Sequence, residues 1–185
     1  MDTKQEILKV ALEIFATKGY ENSSVEEIAK KLNITKPAIY YHFKNKKELY
    51  NTIFRNYFSN IEFKNYNSLE ENIKSYIDTL ANLFLNNPNI AKLFSKELSN
   101  EAQNLEIDTI IILSKTLKHL TDILKNENVN PFFIQTLIIS SFTTYLNTLK
   151  LREKIIDIIK NEKLKEFDIK EEIYKTILLH IKAHR

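Results

Sequence analysis

The stretch N-I-T-K-P-A-I-Y-Y-H-F-K-N-K, residues 33–46, reads as a short helix with a cap on each side. Thr35 or Lys36 serves as its N-cap, and Pro37 falls in the first turn, where a missing N–H costs nothing. Ile39 and Phe43 are four apart, so they share one face and point inward. Lys36, Pro37, Ala38, Tyr40, Tyr41 and Lys44 are left to point outward. Adjacent tyrosines among lysines are poor material for a buried helix. They suit a surface that meets phosphates and base edges.

Upstream, Lys4–Lys18 is expected to be a helix with Ile7, Leu8, Ala11, Ile14 and Phe15 on one face. Gly19, the only glycine in the chain, ends it, and Tyr20 is expected to fold back on the core. Ser24-Val25-Glu26-Glu27 reads as a capping box, with the Ser oxygen taking a free N–H and Glu27 reaching back to the cap. The helix that follows buries Val25, Ile28, Ala29 and Leu32. After the tight turn at Asn33-Ile34 comes the quoted helix. Two short helices joined by a turn and braced by a third make a helix-turn-helix, whose second helix enters the major groove. Asn45-Lys46-Lys47-Glu48 caps the next helix, with Leu49, Ile53, Phe54, Tyr57 and Phe58 inward. Lysine at a helix N-terminus opposes the helix dipole, so Lys46 and Lys47 read as a clamp for an anion.

These residues resemble a family. Gly19-Tyr20, Ser24-Val25, Ile28, Ile34-Thr35, Pro37, Ile39-Tyr40, His42-Phe43, Asn45-Lys46 and Leu49 are similar to the N-terminal signature of tetracycline-repressor-like (TetR) transcriptional regulators. The resemblance covers about the first 50 residues. It implies an all-α chain: an N-terminal three-helix DNA-binding domain over residues 1–50, then a helical bundle over 51–185 that dimerises and binds a small effector. Carried over residue by residue, it places Lys36, Pro37 and Ala38 against bases. Tyr40, Tyr41 and His42 would meet phosphates and thymine methyls, and Lys46 would clamp a phosphate. Thr35 stands with them at the head of the recognition helix, and Ser24 would add a hydroxyl to a phosphate. Ala38 offers only apolar contact, so Lys36 carries much of the direct readout, and lysine pairs best with guanine acceptors. Tyr40 also reads as partial core, and His42 as a neutral spacer between helices.

Charge agrees with that division. Residues 28–55 hold 7 Lys/Arg against 1 Asp/Glu, while residues 56–185 hold 17 of each. A cationic patch on a neutral body is the footprint of a polyanion binder, though a solvated lysine face gives the same count. One glycine and three prolines leave little material for β-turns, so no sheet is expected. The absence of cysteine excludes disulfides and thiolate metal sites and fits a reducing cytoplasm. Met1 is followed by charged residues, so no secretory leader is read. No apolar run approaches the ~20 residues a membrane helix needs. Glycine-rich phosphate loops, G-x-S-x-G, H-E-x-x-H and a cysteine nucleophile are all missing, so no enzyme and no cofactor are expected.

The remainder reads as helices with clear punctuation. Ser68 and Glu71 cap one with Leu69, Ile73, Tyr76, Ile77, Leu80, Leu83 and Phe84 inward, and Asn86-Asn87-Pro88 breaks it. A shorter helix carries Leu93, Phe94 and Leu98. Ile107, Ile110, Leu113, Leu117, Leu120 and Leu124 form an amphipathic stripe, with His119 off it and exposed. The helix at 132–150 is apolar nearly all round. A short amphipathic piece runs over 153–160, and Asp168 caps a last helix carrying Ile169, Ile173, Tyr174, Ile177, Leu178 and Ile181. Covering the two apolar-rich C-terminal helices takes a four-helix bundle made by two chains, or else the monomer's own core. Tyr76, Leu80, Phe84, Phe94, Leu113, Leu117, Phe142 and Tyr145 are the candidate lining of an effector pocket, and equally a plain core. His180 and His184 are four apart but lack further ligands, so no metal site is expected. The expected function is a cytoplasmic homodimeric repressor, released from a double-stranded operator by a small molecule and not membrane-bound. The alternative is a helix-turn-helix dimer that coats DNA or meets a protein partner without an effector.

Overall fold

The computed structural model describes residues 2–164 and 167–185. Among them there are ten α-helices, one 3-10 turn and no strand. The helices are α1 (Thr3–Lys18), α2 (Val25–Leu32), α3 (Lys36–His42), α4 (Lys46–Phe58), α5 (Leu69–Leu85), α6 (Pro88–Ser99), α7 (Ile107–Ile123), α8 (Pro131–Asn147), α9 (Leu149–Ile159) and α10 (Ile169–Ala183), with the 3-10 turn at Glu162–Leu164.

The chain forms two compact units. The first comprises residues up to Ile61 together with Asn89–Ser114; the second takes Glu62–Pro88 and the described residues from Lys115 on. In the first unit α1 packs on α2, α3 and α4, and α2 packs on α3. Ile7, Ala11, Phe15, Ile28, Ile39, Leu49 and Phe54 are fully buried there. Aromatic rings extend this core: Tyr50 meets Phe15 edge-on at 5.0 Å, and Phe58 stacks on Phe94 at 5.4 Å. Such pairs add to the area they bury. Gly19 ends α1 at φ +82, a backbone conformation that favours glycine.

The caps follow the sequence with one correction. Ser24, Thr35, Asn45, Ser68 and Asp168 all accept from backbone N–H groups of the helices they open. Glu27, however, does not reach back to its cap. Its carboxylate lies 2.6 Å from the Lys18 ammonium, because an opposite charge on α1 is the stronger partner.

In the second unit α5, α8 and α10 pack on one another around Tyr76, Leu80, Phe84, Phe142 and Ile177. The apolar helix expected to run to residue 150 ends at Asn147. Thr148 donates both its N–H and its hydroxyl to the Thr144 carbonyl, and α9 begins at once. No glycine or proline marks the break.

His119 is also corrected. It is half-buried, with its ring stacked on Phe63 at 4.4 Å and 13°. The stripe of α7 buries Leu120 and Leu124 but leaves Ile107 and Ile110 exposed. Burial holds the His119 imidazole below its ordinary pKa, with Asp122 opposing. The unfolded chain therefore binds this proton first as pH falls. The contribution to stability is complete above the ordinary histidine pKa and is lost as pH drops toward and through the folded value. His119→Phe keeps the stack and removes the proton. Melting followed between about pH 8 and pH 5 is expected to show a smaller loss of Tm in the variant than in the parent.

Candidate nucleic-acid interface

The seven residues of α3 are shaped by two buried side chains. Ile39 at 0% and Phe43 at 2% exposure anchor the helix, and Tyr40 and Tyr41 between them are turned out. Thr35 Oγ1 accepts from the Ala38 N–H at 3.3 Å, and Pro37 sits in the first turn. Lys36 and Pro37 are exposed and Ala38 is half-buried. Tyr40 is 41% and Tyr41 86% exposed. Tyr41 touches the edge of the half-buried His42 ring at 5.1 Å. A large aromatic left this open on a short helix has no role in packing.

Around α3 stand cations whose partners differ. Lys36 Nζ lies 3.2 Å from Glu26 on α2, an exposed pair worth no more than about 1 kcal/mol and therefore exchangeable for a phosphate or a base. Lys46 lies over the Tyr20 ring at 4.2 Å. Burial lowers its pKa, with Glu21 opposing. Among the described residues Lys30, Lys44 and Lys47 make no ion pair. Ser24 is exposed. Its oxygen accepts from the Glu27 N–H at 3.1 Å, and its hydroxyl hydrogen remains to be donated.

The start of α4 is held from two sides. Asn45 Oδ1 accepts from the Glu48 N–H at 2.8 Å, and Glu48 accepts from the Lys44 N–H, one residue before the cap. Further along, a buried polar cluster fixes α4 to 97–109 within the same unit. Tyr50 Oη donates to Glu97 Oε2 at 2.6 Å, and Asn104 donates to the same carboxyl through its N–H at 2.9 Å and its side-chain amide at 3.3 Å. Asn51 Nδ2 donates to the Asn104 carbonyl at 3.0 Å, and its Oδ1 accepts from the Glu106 N–H at 2.8 Å. Arg55 reaches Glu106 and Thr109 at 3.3 Å each. None of these side chains was singled out from the sequence. The available signal was Glu97 itself, an acid standing three residues after Phe94 on the apolar face of α6.

The candidate effector residues are divided between the two units. Tyr76, Leu80, Phe84 and Phe142 are close-packed core of the second unit, while Phe94 packs on Phe54 and Phe58 in the first. Leu113 also belongs to the first unit; Leu117, in the second, is half-buried. Tyr145 alone among them lines a cavity of about 780 Å³ in the second unit, beside α9. His184 Nδ1 lies 2.7 Å from the His180 carbonyl, and no cluster of three metal-ligating side chains occurs among the described residues.

Comparison with known proteins agrees with the geometry. Residues 7–53 match the family described as bacterial regulatory proteins, tetR family. The regulator AcrR of Shigella flexneri is 45% identical over 60 residues, covering 32% of this chain and 28% of that protein. The negative regulator IcaR of the biofilm operon icaADBC in Staphylococcus aureus (strain Newman) is 31% identical over 86 residues, covering 46% and 36%. The chain thus matches about a third of the length of these curated relatives. The solved structure of the regulator PfmR from Thermus thermophilus superposes with a TM-score of 0.67 over 95% of this chain and 97% of that one, at 19% identity, a likeness of fold.

Proposed function

We propose that this chain, whose residues 7–53 match the tetR family of bacterial regulatory proteins, is a cytoplasmic transcriptional repressor. It binds a pseudo-palindromic operator as a homodimer and releases it when the second unit takes up a small molecule. The observation that carries the reading is the surface of α3, where Lys36, Tyr40 and Tyr41 stand open on a helix pinned by Ile39 and Phe43. Lys36, Pro37 and Ala38 read bases, while Ser24, Thr35, Tyr40, Tyr41, His42 and Lys46 meet the backbone and thymine methyls.

One recognition helix reads few base pairs; a two-fold dimer reads two half-sites a helical turn apart. Phe132 and Phe133 on α8 and Leu179 on α10 are exposed, which supports a bundle formed with a second copy through those helices. Release would be a shift in population between states that differ in the setting of α4. Residues of α7 belong to both units, so a change in the second unit can act along that helix on the polar cluster that holds α4.

Footprinting on DNA from around the protein's own gene tests this reading. Two protected segments, symmetric and a helical turn apart, are expected. Continuous protection that spreads with concentration would favour the alternative, a DNA-coating dimer without an effector.

A further inference from the structure

The geometry points to a binding site for an amphipathic organic anion, a carboxylate head on an aliphatic or aromatic body, between the end of α8, α9 and the segment leading into α10. The cavity there measures about 780 Å³, within the range of small-molecule sites. Its apolar lining includes Tyr145, Leu149, Ile155, Ile156, Leu164 and Phe167. Leu149, Ile155, Leu164 and Phe167 are each 39–49% exposed, more than large apolar side chains of a finished core. No residue of α9 is buried.

One side chain gives the site its polarity. The Arg152 guanidinium lies 3.9 Å from the centre of the Tyr145 ring and 5.5 Å from that of Phe167, two rings set edge to face at 86°. It donates from Nη2 to the Tyr145 carbonyl at 3.2 Å. Among the described residues nothing else holds it: Nε is buried without an acceptor, and no carboxylate there pairs with this cation. The outer edge of the guanidinium, Nη1–H with the second Nη2–H, is the planar fork that takes a carboxylate bidentately. Aromatic faces on the guanidinium keep that fork in place.

The other charged residues of the lining do not compete. Asp168 Oδ1 already accepts from the Lys170 and Glu171 N–H groups at the head of α10. Glu153 and Lys163 are exposed and opposite in sign. Ligand binding here is independent of the DNA reading; that the ligand is the effector rests on it.

Decanoate, decan-1-ol and decyltrimethylammonium share one tail and differ in the head, so calorimetric titration of each into the full chain without DNA tests the site. Decanoate is expected to bind with one saturable site and at least about tenfold more tightly than the alcohol, the scale of one charge-assisted bond. The cationic compound is expected to bind most weakly. Arg152→Gln should abolish the preference for decanoate over the alcohol. Arg152→Lys, which keeps the charge and loses the fork, should fall between. If Arg152→Gln does not fold, the three heads on the parent chain and on Arg152→Lys still decide. Equal affinity for the three heads, no saturable binding below the aggregation range of decanoate, or an unchanged preference in both variants overturns the proposal. Selective DNA binding with no decanoate binding would sink this site alone. Decanoate binding with no selective DNA binding would sink the repressor and leave the site.

Discussion

Tyr41→Ala is expected to weaken binding to the operator by about tenfold to a hundredfold, the range of one or two hydrogen bonds to a charged phosphate with the ring contact that accompanies them. The residue is 86% exposed, so the folded protein should not register its loss: stability is expected to stay within about 0.5 kcal/mol of the parent. Tyr41→Phe separates the two parts of the contact. It keeps the ring for a thymine methyl and removes only the hydroxyl, so it should recover part of the affinity. Binding measured by fluorescence anisotropy, with sedimentation run beside it, checks both statements. A variant that loses dimerisation as well as affinity would show that Tyr41 belongs to the assembly of the protein and not to its reading surface.

A second large effect is expected from Glu97→Ala. Its carboxyl is 3% exposed and accepts three hydrogen bonds, one from Tyr50 and two from Asn104. Burial and the bond to Glu97 hold the Tyr50 phenol far above its ordinary pKa, so Tyr50 remains a donor throughout the useful pH range. Truncating Glu97 leaves those donors buried and unpaired and opens a small cavity beside them. A loss of about 3 kcal/mol is expected. Tyr50→Phe removes one donor together with its need for an acceptor, so it should cost only about 1 kcal/mol. The double variant should cost less than the sum, because the two residues share one bond. Urea unfolding of the four proteins measures this. Additive losses would mean that the cluster does not act as a unit.

Much of this was legible beforehand because short-range chemistry dictates it. Pro37 in a first turn, Thr35 and Asn45 as caps and the single glycine at the end of α1 need no knowledge of distant residues. Ile39 and Phe43 followed from a spacing of four, and the outward set on α3 followed from them by subtraction. What stayed hidden depends on contacts far apart in the chain. Glu97 stands on the apolar face of α6, but Asn104 and Tyr50, which close on it, are 7 and 47 residues away in the chain. Glu27 satisfied the pattern of a capping box, yet Lys18 offered it a charge. His119 sat off the apolar stripe, but Phe63, 56 residues upstream, supplied a ring for it to stack on. The cavity beside Arg152 was invisible because it depends on the break at Thr148, which no glycine or proline marks. Aromatic spacing pointed instead to the core of the second unit, where Tyr76, Phe84 and Phe142 are buried.

The central claim is that the surface of α3 reads a DNA sequence. The most direct test is competition binding of fragments from around the protein's own gene against random DNA, across a series of salt concentrations, with Lys36→Ala beside the parent. One fragment is expected to bind far more tightly than random DNA, by about a thousandfold or more. Lys36→Ala should erode that preference, because Lys36 touches bases and not only phosphates. Contradiction would take a definite form: all fragments bound alike and weakly, with a steep dependence on salt and the same ratio to random DNA in both proteins. The patch would then attract phosphates without reading what they carry.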